Sequence, residues 1–146
     1  MSITNIFDQL TRDEGFRAEP YDDSRGFKTV GIGHNLDANP LPGESYPMTL
    51  DRAQKILVWD VNDIYRKLIN DLPWVDSLPE VITGVLINMA FNLGAAGLEE
   101  FHHMLSYIQS GEYATAALAG KASLWYTQVG DRAKRLMEQL ATGEWQ

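Results

Sequence analysis

The chain has 146 residues, no cysteine and a formal net charge of −8 at pH 7. Its length suits a single domain with a buried core, and the missing cysteines exclude a disulfide framework, a thiolate nucleophile and a zinc–thiolate site. The acidic balance argues against nucleic acid as a partner, because phosphate contacts need a basic patch that only Arg132, Lys134 and Arg135 begin to form.

No metal or other cofactor is predicted. The three histidines include no H-E-x-x-H motif, and His102 and His103, adjacent on a helix, would point to different faces. Residues 1–8 have neither a basic start nor an apolar run. We therefore expect synthesis in the cytoplasm without a signal peptide.

The first predicted element is a helix over residues 2–14. Its apolar residues recur at helical spacing: Ile3, Ile6, Phe7 and Leu10. Ser2 is a candidate N-cap and Gly15 a natural terminator. Glu14 is thus expected at the helix C-terminus, where its negative charge opposes the helix dipole. The same field favours the protonated carboxyl that a general acid near neutral pH requires.

Two short strands are predicted next, over residues 18–21 and 27–32, joined by a polar turn. Asp23 is expected on the turn and Thr29 on the returning strand, both facing the helix end with Glu14. Two carboxyls in unlike environments allow one to stay protonated while the other is ionised. That arrangement is typical of glycoside hydrolysis.

A long helix is predicted over residues 50–72, with Thr49 and Asp51 at its start. It would join a small β-containing lobe, residues 15–49, to a larger helical lobe. The helical lobe would comprise residues 73–146 and the N-terminal helix, with helical patterns near 98–109, 112–124 and 131–141 that end at Gly111 and Gly143. The predicted class is mainly helical α+β, in a single domain over residues 1–146.

Residues 81–98 form an uncharged stretch of 18 residues, which is the threshold for a membrane span. Polar and glycine residues within it argue against a span. Ser77 with Glu80 three residues later reads as a capping box, and Gly94 as a stop. We therefore predict a buried central helix and no stable membrane insertion.

Glu14, Asp23 and Thr29 are separated by eight and five residues. This spacing resembles the signature of the T-even-phage-type lysozymes, the endolysins of glycoside hydrolase family 24. Further segments resemble the family in the same order: NIFDQLTRDEGFR, TVGIGH, LINMAFNLG, WYTQVGDRAKR and TGEW. Residues 35–49 match it least. The resemblance implies a lysozyme-like fold, a monomer, and bacteriolytic activity on peptidoglycan in the periplasm after release from the cytoplasm.

The resemblance also implies a mechanism: hydrolysis of the β-1,4 bond between N-acetylmuramic acid and N-acetylglucosamine, with inversion. Glu14 would protonate the leaving oxygen, and Asp23 with Thr29 would direct water to the anomeric carbon. Each of these residues alone has a structural reading, as a surface carboxylate, a turn residue and a strand former. Asp22 competes with Asp23 as the second carboxylate, and only the spacing selects Asp23.

Other candidates for substrate binding are less sharply defined. Asn92 resembles a family position that lines the cleft, and Gly94 lies beside it at the predicted helix end. Trp125 is either a core aromatic or a sugar-stacking wall. His34 is also a candidate, although a structural role at the end of the second strand is preferred over catalysis. Arg132 is either a partner of the Glu14 side chain or a surface residue.

Three other functions are weighed against the muramidase. A lytic transglycosylase would need one acid and no water-directing carboxylate. A non-catalytic wall-binding module would need the substrate groove but not the three catalytic residues. A structural phage protein would need neither the groove nor the catalytic residues. The biological setting, whether phage, prophage or antibacterial, stays open. The acidic charge is unexpected for an enzyme that acts on an anionic wall, and no Lys or Arg occurs between Lys67 and Lys121. We interpret this stretch as a solvated acidic face.

Overall fold

The computed structural model describes residues 3–146. Within them the chain forms the following elements: α1 (Ile6–Glu14), β1 (Arg17–Asp22), β2 (Lys28–Gly31), β3 (His34–Asn35), α2 (Leu50–Asp71), a 3-10 helix (Pro73–Ser77), α3 (Glu80–Glu99), α4 (His102–Gln109), α5 (Tyr113–Lys121), α6 (Leu124–Val129) and α7 (Asp131–Thr142). The predicted mainly helical α+β class is confirmed.

The chain divides into two compact units. The β unit is Phe7–Asp63, and the helical unit is Ile64–Gln146 together with residues 3–6. The boundary falls inside α2, which begins at the predicted residue: Thr49 Oγ1 accepts a hydrogen bond of 3.1 Å from the Arg52 amide, as an N-cap does. The lobe boundaries drawn from the sequence stay a prediction.

Helix α1 is shorter than predicted. It begins at Ile6, so Ile3 lies before the helix, and the proposed cap Ser2 lies outside the described residues. Asn5, a residue type favoured at helix starts, immediately precedes the first turn. The C-terminal end agrees with the prediction, because the last helical residue is Glu14.

The sheet of the β unit is antiparallel with the order β1-β2-β3. Thr29 pairs with Tyr21 on β1 and with Asn35 on β3. The prediction ran β2 on to Ile32 and missed β3. Instead β2 ends at Gly31, and the chain turns back through Gly33, whose φ of 66° a residue with a side chain rarely adopts.

Residues 36–49 lack regular structure but are tied to the β unit. The Met48 amide donates to the Ala18 carbonyl at 2.8 Å, and the Met48 side chain is buried. Arg52 on α2 forms an ion pair with Glu44, with Nη2 and Oε1 3.0 Å apart. These contacts hold the segment between β1 and the start of α2.

Helix α3 is the centre of the helical unit. Every residue from Ile82 to Ala90 is buried, so the helix is covered on all sides there. Helix α7 packs against α3. By length and composition α3 could cross a membrane, yet 56% of its apolar stretch is buried inside the molecule. That burial supports the predicted core helix.

The predicted capping box of α3 is wrong. The N-cap is Pro79, which has no side-chain cap, and Ser77 is the last residue of the 3-10 helix. Leu78 lies between them with extended backbone, φ −76° and ψ 152°, because a residue before proline is disfavoured in the helical region. The predicted stop at Gly94 is a break in helical geometry, with φ 78° and ψ 156°, after which α3 continues to Glu99.

Helix α7 (Asp131–Thr142, C-cap Gly143) agrees with the prediction, whereas α4 and α5 depart from it at their ends. The pattern predicted near 98–109 becomes α4 only from His102, because α3 continues to Glu99. The pattern over 112–124 ends earlier, at Lys121, and a separate α6 was not predicted. Ser123 explains the new start, since its hydroxyl accepts from the Tyr126 amide.

Candidate active site

Glu14 lies at the last helical position of α1 and is partly exposed. Its side chain lies against the turn between β2 and β3: a methyl group on the Gly33 Cα would be 2.8 Å from both Cγ and Cδ of Glu14. Gly15 follows and ends the helix; its backbone amide donates a hydrogen bond of 3.0 Å to the Thr11 carbonyl. The helix end and the turn together define where the Glu14 carboxyl can sit.

Asp23 stands on the turn between β1 and β2. Its Oδ1 accepts hydrogen bonds from the amides of Arg25 at 2.9 Å and Phe27 at 2.8 Å. Its own backbone amide donates to the Phe27 carbonyl at 2.9 Å. The carboxylate is therefore held by its own turn. The neighbouring Asp22 ends β1, opposite Lys28, and is exposed.

Thr29 is buried on β2, with 4% of its surface exposed. Its hydroxyl donates to the Phe27 carbonyl at 2.9 Å, the same oxygen that receives the Asp23 amide. Asp23 and Thr29 are thus connected through one peptide group. Because the hydroxyl proton is committed to that carbonyl, the Thr29 oxygen is left to act as an acceptor.

Tyr21 feels the charges of both predicted catalytic carboxylates. Burial and the charge of Glu14 raise the pKa of Tyr21 above its ordinary value of 10.0, Arg17 lowers it, and Asp23 raises it further. The Arg17 guanidinium lies over the Tyr21 ring, 4.2 Å from its centroid. Sequence reasoning missed Tyr21, which lies on β1 two residues before Asp23.

His34 is buried at the start of β3, with 3% of its surface exposed. Nδ1 lies 2.7 Å from Asp60 Oδ2, and Nε2 lies 2.7 Å from the Asn39 carbonyl oxygen. Both partners are acceptors, so the doubly protonated ring satisfies both bonds. These contacts fit the structural role expected of His34. They leave neither ring nitrogen to a ligand, which argues against the alternative of substrate binding.

The other predicted site residues all belong to the helical unit. Trp125 is 6% exposed, donates from Nε1 to Asn92 Oδ1 at 2.8 Å, and packs edge-on against Phe101 with the ring centroids 5.8 Å apart. This burial favours a core aromatic over a sugar-stacking wall. Arg132 donates from Nε to Asn88 Oδ1 at 2.8 Å. The predicted roles of Asn92, Gly94 and Arg132 toward a substrate stay predictions.

Residues 11–141 match the phage lysozyme family. This chain belongs to that family. The match includes all three residues of the predicted catalytic set, and the recognition of a T-even-phage-type lysozyme is confirmed.

Three relatives of this phage lysozyme family member illustrate its range. This chain is 29% identical over 160 residues to the pre-baseplate central spike protein Gp5 of Enterobacteria phage T4; the alignment covers 95% of this chain but 28% of that protein. It is 28% identical over 163 residues to the probable T4-type lysozyme 2 of Dictyostelium discoideum, covering 97% and 96% of the two chains. It is also 28% identical over 102 residues to the endolysin of Salmonella phage P22, covering 62% of each.

Across residues 3–146 of this lysozyme-family chain, no group of three or more His, Asp or Glu side chains is arranged to hold a metal ion. Gly33 is the second residue that sequence reasoning passed over. It lies within the TVGIGH segment, but its contact with Glu14 depends on the turn that β3 creates.

Proposed function

We propose that this chain is a muramidase that hydrolyses the β-1,4 bond between N-acetylmuramic acid and N-acetylglucosamine in bacterial peptidoglycan. The observation that carries the proposal is the family match over residues 11–141, which spans Glu14, Asp23 and Thr29 with their family spacing. Relatives described as a lysozyme and as an endolysin support it. We propose host-cell lysis as the setting and a monomer as the active form.

Glu14 acts as the general acid. Its position at the C-terminus of α1 places the partial negative charge of the helix end beside its carboxyl, which favours retention of the proton. When the glycosidic bond breaks, that proton passes to the leaving oxygen. Arg132 is the proposed partner that holds the Glu14 side chain, as the family resemblance implies.

Asp23 and Thr29 orient the water. Asp23 Oδ1 is engaged by two amides, which leaves Oδ2 to accept one proton of a water molecule. The Thr29 oxygen accepts the other, because its own proton is donated to the Phe27 carbonyl. A water that donates both protons directs its lone pair at the anomeric carbon, and Asp23 takes up the proton as the new C–O bond forms.

We further propose that this is a single displacement. The water oxygen bonds to the anomeric carbon as the bond to the leaving oxygen breaks, so a β-linkage yields an α-product. A retaining reaction would need Asp23 as the nucleophile. The two hydrogen bonds that Asp23 accepts from backbone amides, together with the nearby Thr29 oxygen, instead suit Asp23 as a base that holds water.

The product of peptidoglycan digestion tests the proposal. Mass spectrometry should find fragments with free reducing muramic acid ends, and proton NMR of the first turnovers should find the α-anomer. The variant Glu14→Gln provides the blank digest. Fragments lighter by one water would indicate a 1,6-anhydro end and a lytic transglycosylase. An initial β-anomer would make Asp23 a nucleophile, and intact glycan with retained binding would indicate a wall-binding module.

A further inference from the structure

Gly33 lies directly beneath the Glu14 side chain. A methyl group at Gly33 would be 2.8 Å from Glu14 Cγ, 2.8 Å from Cδ and 2.9 Å from Oε1. Carbon atoms in proteins approach one another favourably at about 3.5–4.0 Å. The space that a side chain at position 33 would need is therefore filled by the three atoms that set the position of the carboxyl.

The turn that carries Gly33 is fixed from both sides. Val30 pairs with His34 across it, and the ring of His34 is held by Asp60 on α2 and by the Asn39 carbonyl, each at 2.7 Å. Ile32 is 2% exposed and anchors the other side of the turn. Because the turn is held by buried groups whereas Glu14 ends in rotatable bonds, a contact between them displaces Glu14.

We propose that Gly33 is a positioning residue for Glu14: the absence of a side chain at this turn creates a seat that fixes the carboxyl of the acid. The inference rests on the proposed function, in which Glu14 is the proton donor. Gly33 itself touches no reacting atom. It acts through Glu14, and it is required for its size as well as for its positive φ of 66°.

The test uses Gly33→Ala with Gly43→Ala as the matched control. Gly43 has a positive φ of 80°, but no atom lies within 4 Å of the place that a Cβ would take, so its variant carries the backbone strain without the contact. On soluble peptidoglycan fragments, Gly33→Ala should lower kcat by about 100-fold with little change in KM, the size expected for a misplacement of about 1 Å. Gly43→Ala should keep both values.

The pH profile adds a readout that backbone strain alone does not move. In Gly33→Ala the limb of the kcat profile that reports the acid should shift, because the carboxyl leaves its environment. If Gly33→Ala and Gly43→Ala had equal kcat values and equal pH profiles, Gly33 would not position Glu14, and the proposed muramidase activity would be unaffected. Full activity of Glu14→Gln would instead refute Glu14 as the acid, which separates failure of the function from failure of the seat.

A double-mutant cycle on stability covers a variant that folds poorly. Replacing Glu14 by Ala removes the Cγ, Cδ and Oε1 atoms that the new methyl group would meet. The loss in Tm from Gly33→Ala should therefore be smaller in the Glu14→Ala background. An unchanged loss in that background would show that the methyl group meets something other than Glu14 and would overturn the proposal.

Discussion

At the scale of single residues, Glu14 combines a proposed role as the general acid with an electrostatically unfavourable position. It ends α1, where a negative charge typically costs roughly 0.3–1 kcal/mol. We predict that Glu14→Gln abolishes lysis, because it removes the proton donor at constant size, and leaves Tm unchanged or slightly raised. Turbidity loss of purified peptidoglycan and thermal unfolding measure the two effects. Lysis at the wild-type rate would assign the acid to another group.

The adjacent carboxylates Asp22 and Asp23 provide an internal comparison. We predict that Asp23→Asn lowers kcat by roughly two orders of magnitude or more with a smaller effect on KM, because its proposed partner is a water needed only for reaction. Thr29→Ala should act in the same direction. Asp22→Asn should be mild, since Asp22 ends β1 with an exposed side chain. A severe Asp22→Asn would reverse the assignment within the pair.

The candidate residues that the sequence could reveal are those with a signature of their own. Glu14, Asp23 and Thr29 have a family spacing, and their local elements follow from a helix stop and a polar turn. Gly33 and Tyr21 could not be found in that way. The significance of Gly33 arises from its close approach to Glu14, and that of Tyr21 from the effect of the Glu14 charge on its pKa. Both depend on the folded arrangement and not on a local sequence pattern.

At the scale of elements, β3 is held to α2 by the pair of His34 and Asp60. Burial lowers the pKa of His34, but the hydrogen bond and charge of Asp60 and the bond to Asn39 outweigh it, so the pKa lies above its ordinary 6.5. A raised pKa means that the folded protein holds the proton more tightly than the unfolded chain. The stabilisation is fully present below about pH 6.5 and is lost as the pH rises through the folded value.

We predict that His34→Asn lowers the free energy of unfolding at pH 5 by about 1.5–3 kcal/mol, the range for a hydrogen bond to a charged group. At alkaline pH the difference from wild type should shrink. Chemical denaturation between pH 5 and 9 measures both, with Asp60→Asn as the partner variant. A difference that stays constant over this range would show that packing, and not the charged pair, accounts for the loss.

Element ends were harder to predict than the elements themselves. The periodicity of α2 and the caps around it sufficed for its start, whereas the start of α3 depends on Pro79, which excludes Leu78 from the helix. The Ser–Glu spacing that suggested a capping box lies across this proline. The two-residue strand β3 is too short to show alternation, so only its pairing with β2 defines it.

At the scale of the whole molecule, the mainly helical α+β fold class could be predicted from the helical periodicity of apolar residues over most of the chain. The uncharged run within α3 was compatible with a membrane span or a core. Its residues from Ile82 to Ala90 are buried in the helical unit, and hydropathy alone could not separate these outcomes, since both require an apolar surface.

The net charge of −8 sets the response to salt. Bacterial walls are anionic, so the protein and its proposed substrate repel each other over a distance that falls from about 30 Å at 0.01 M to about 10 Å at 0.1 M ionic strength. We predict that the initial rate of peptidoglycan lysis is unchanged or rises between these concentrations. A basic enzyme would lose rate, because salt would screen an attraction.

Charge reversal at two exposed residues, Glu100 and Glu138, sharpens this test. Each Glu→Lys change removes one negative charge and adds one positive charge, so the net charge of the double variant is −4 instead of −8. The initial rate of lysis by the double variant should exceed that of wild type at 0.01 M ionic strength. The two rates should converge at about 0.1 M or more, where screening removes most of the repulsion. Wild-type activity that instead falls steeply with salt would mean that a local basic surface governs the encounter, and the reversals would then change little.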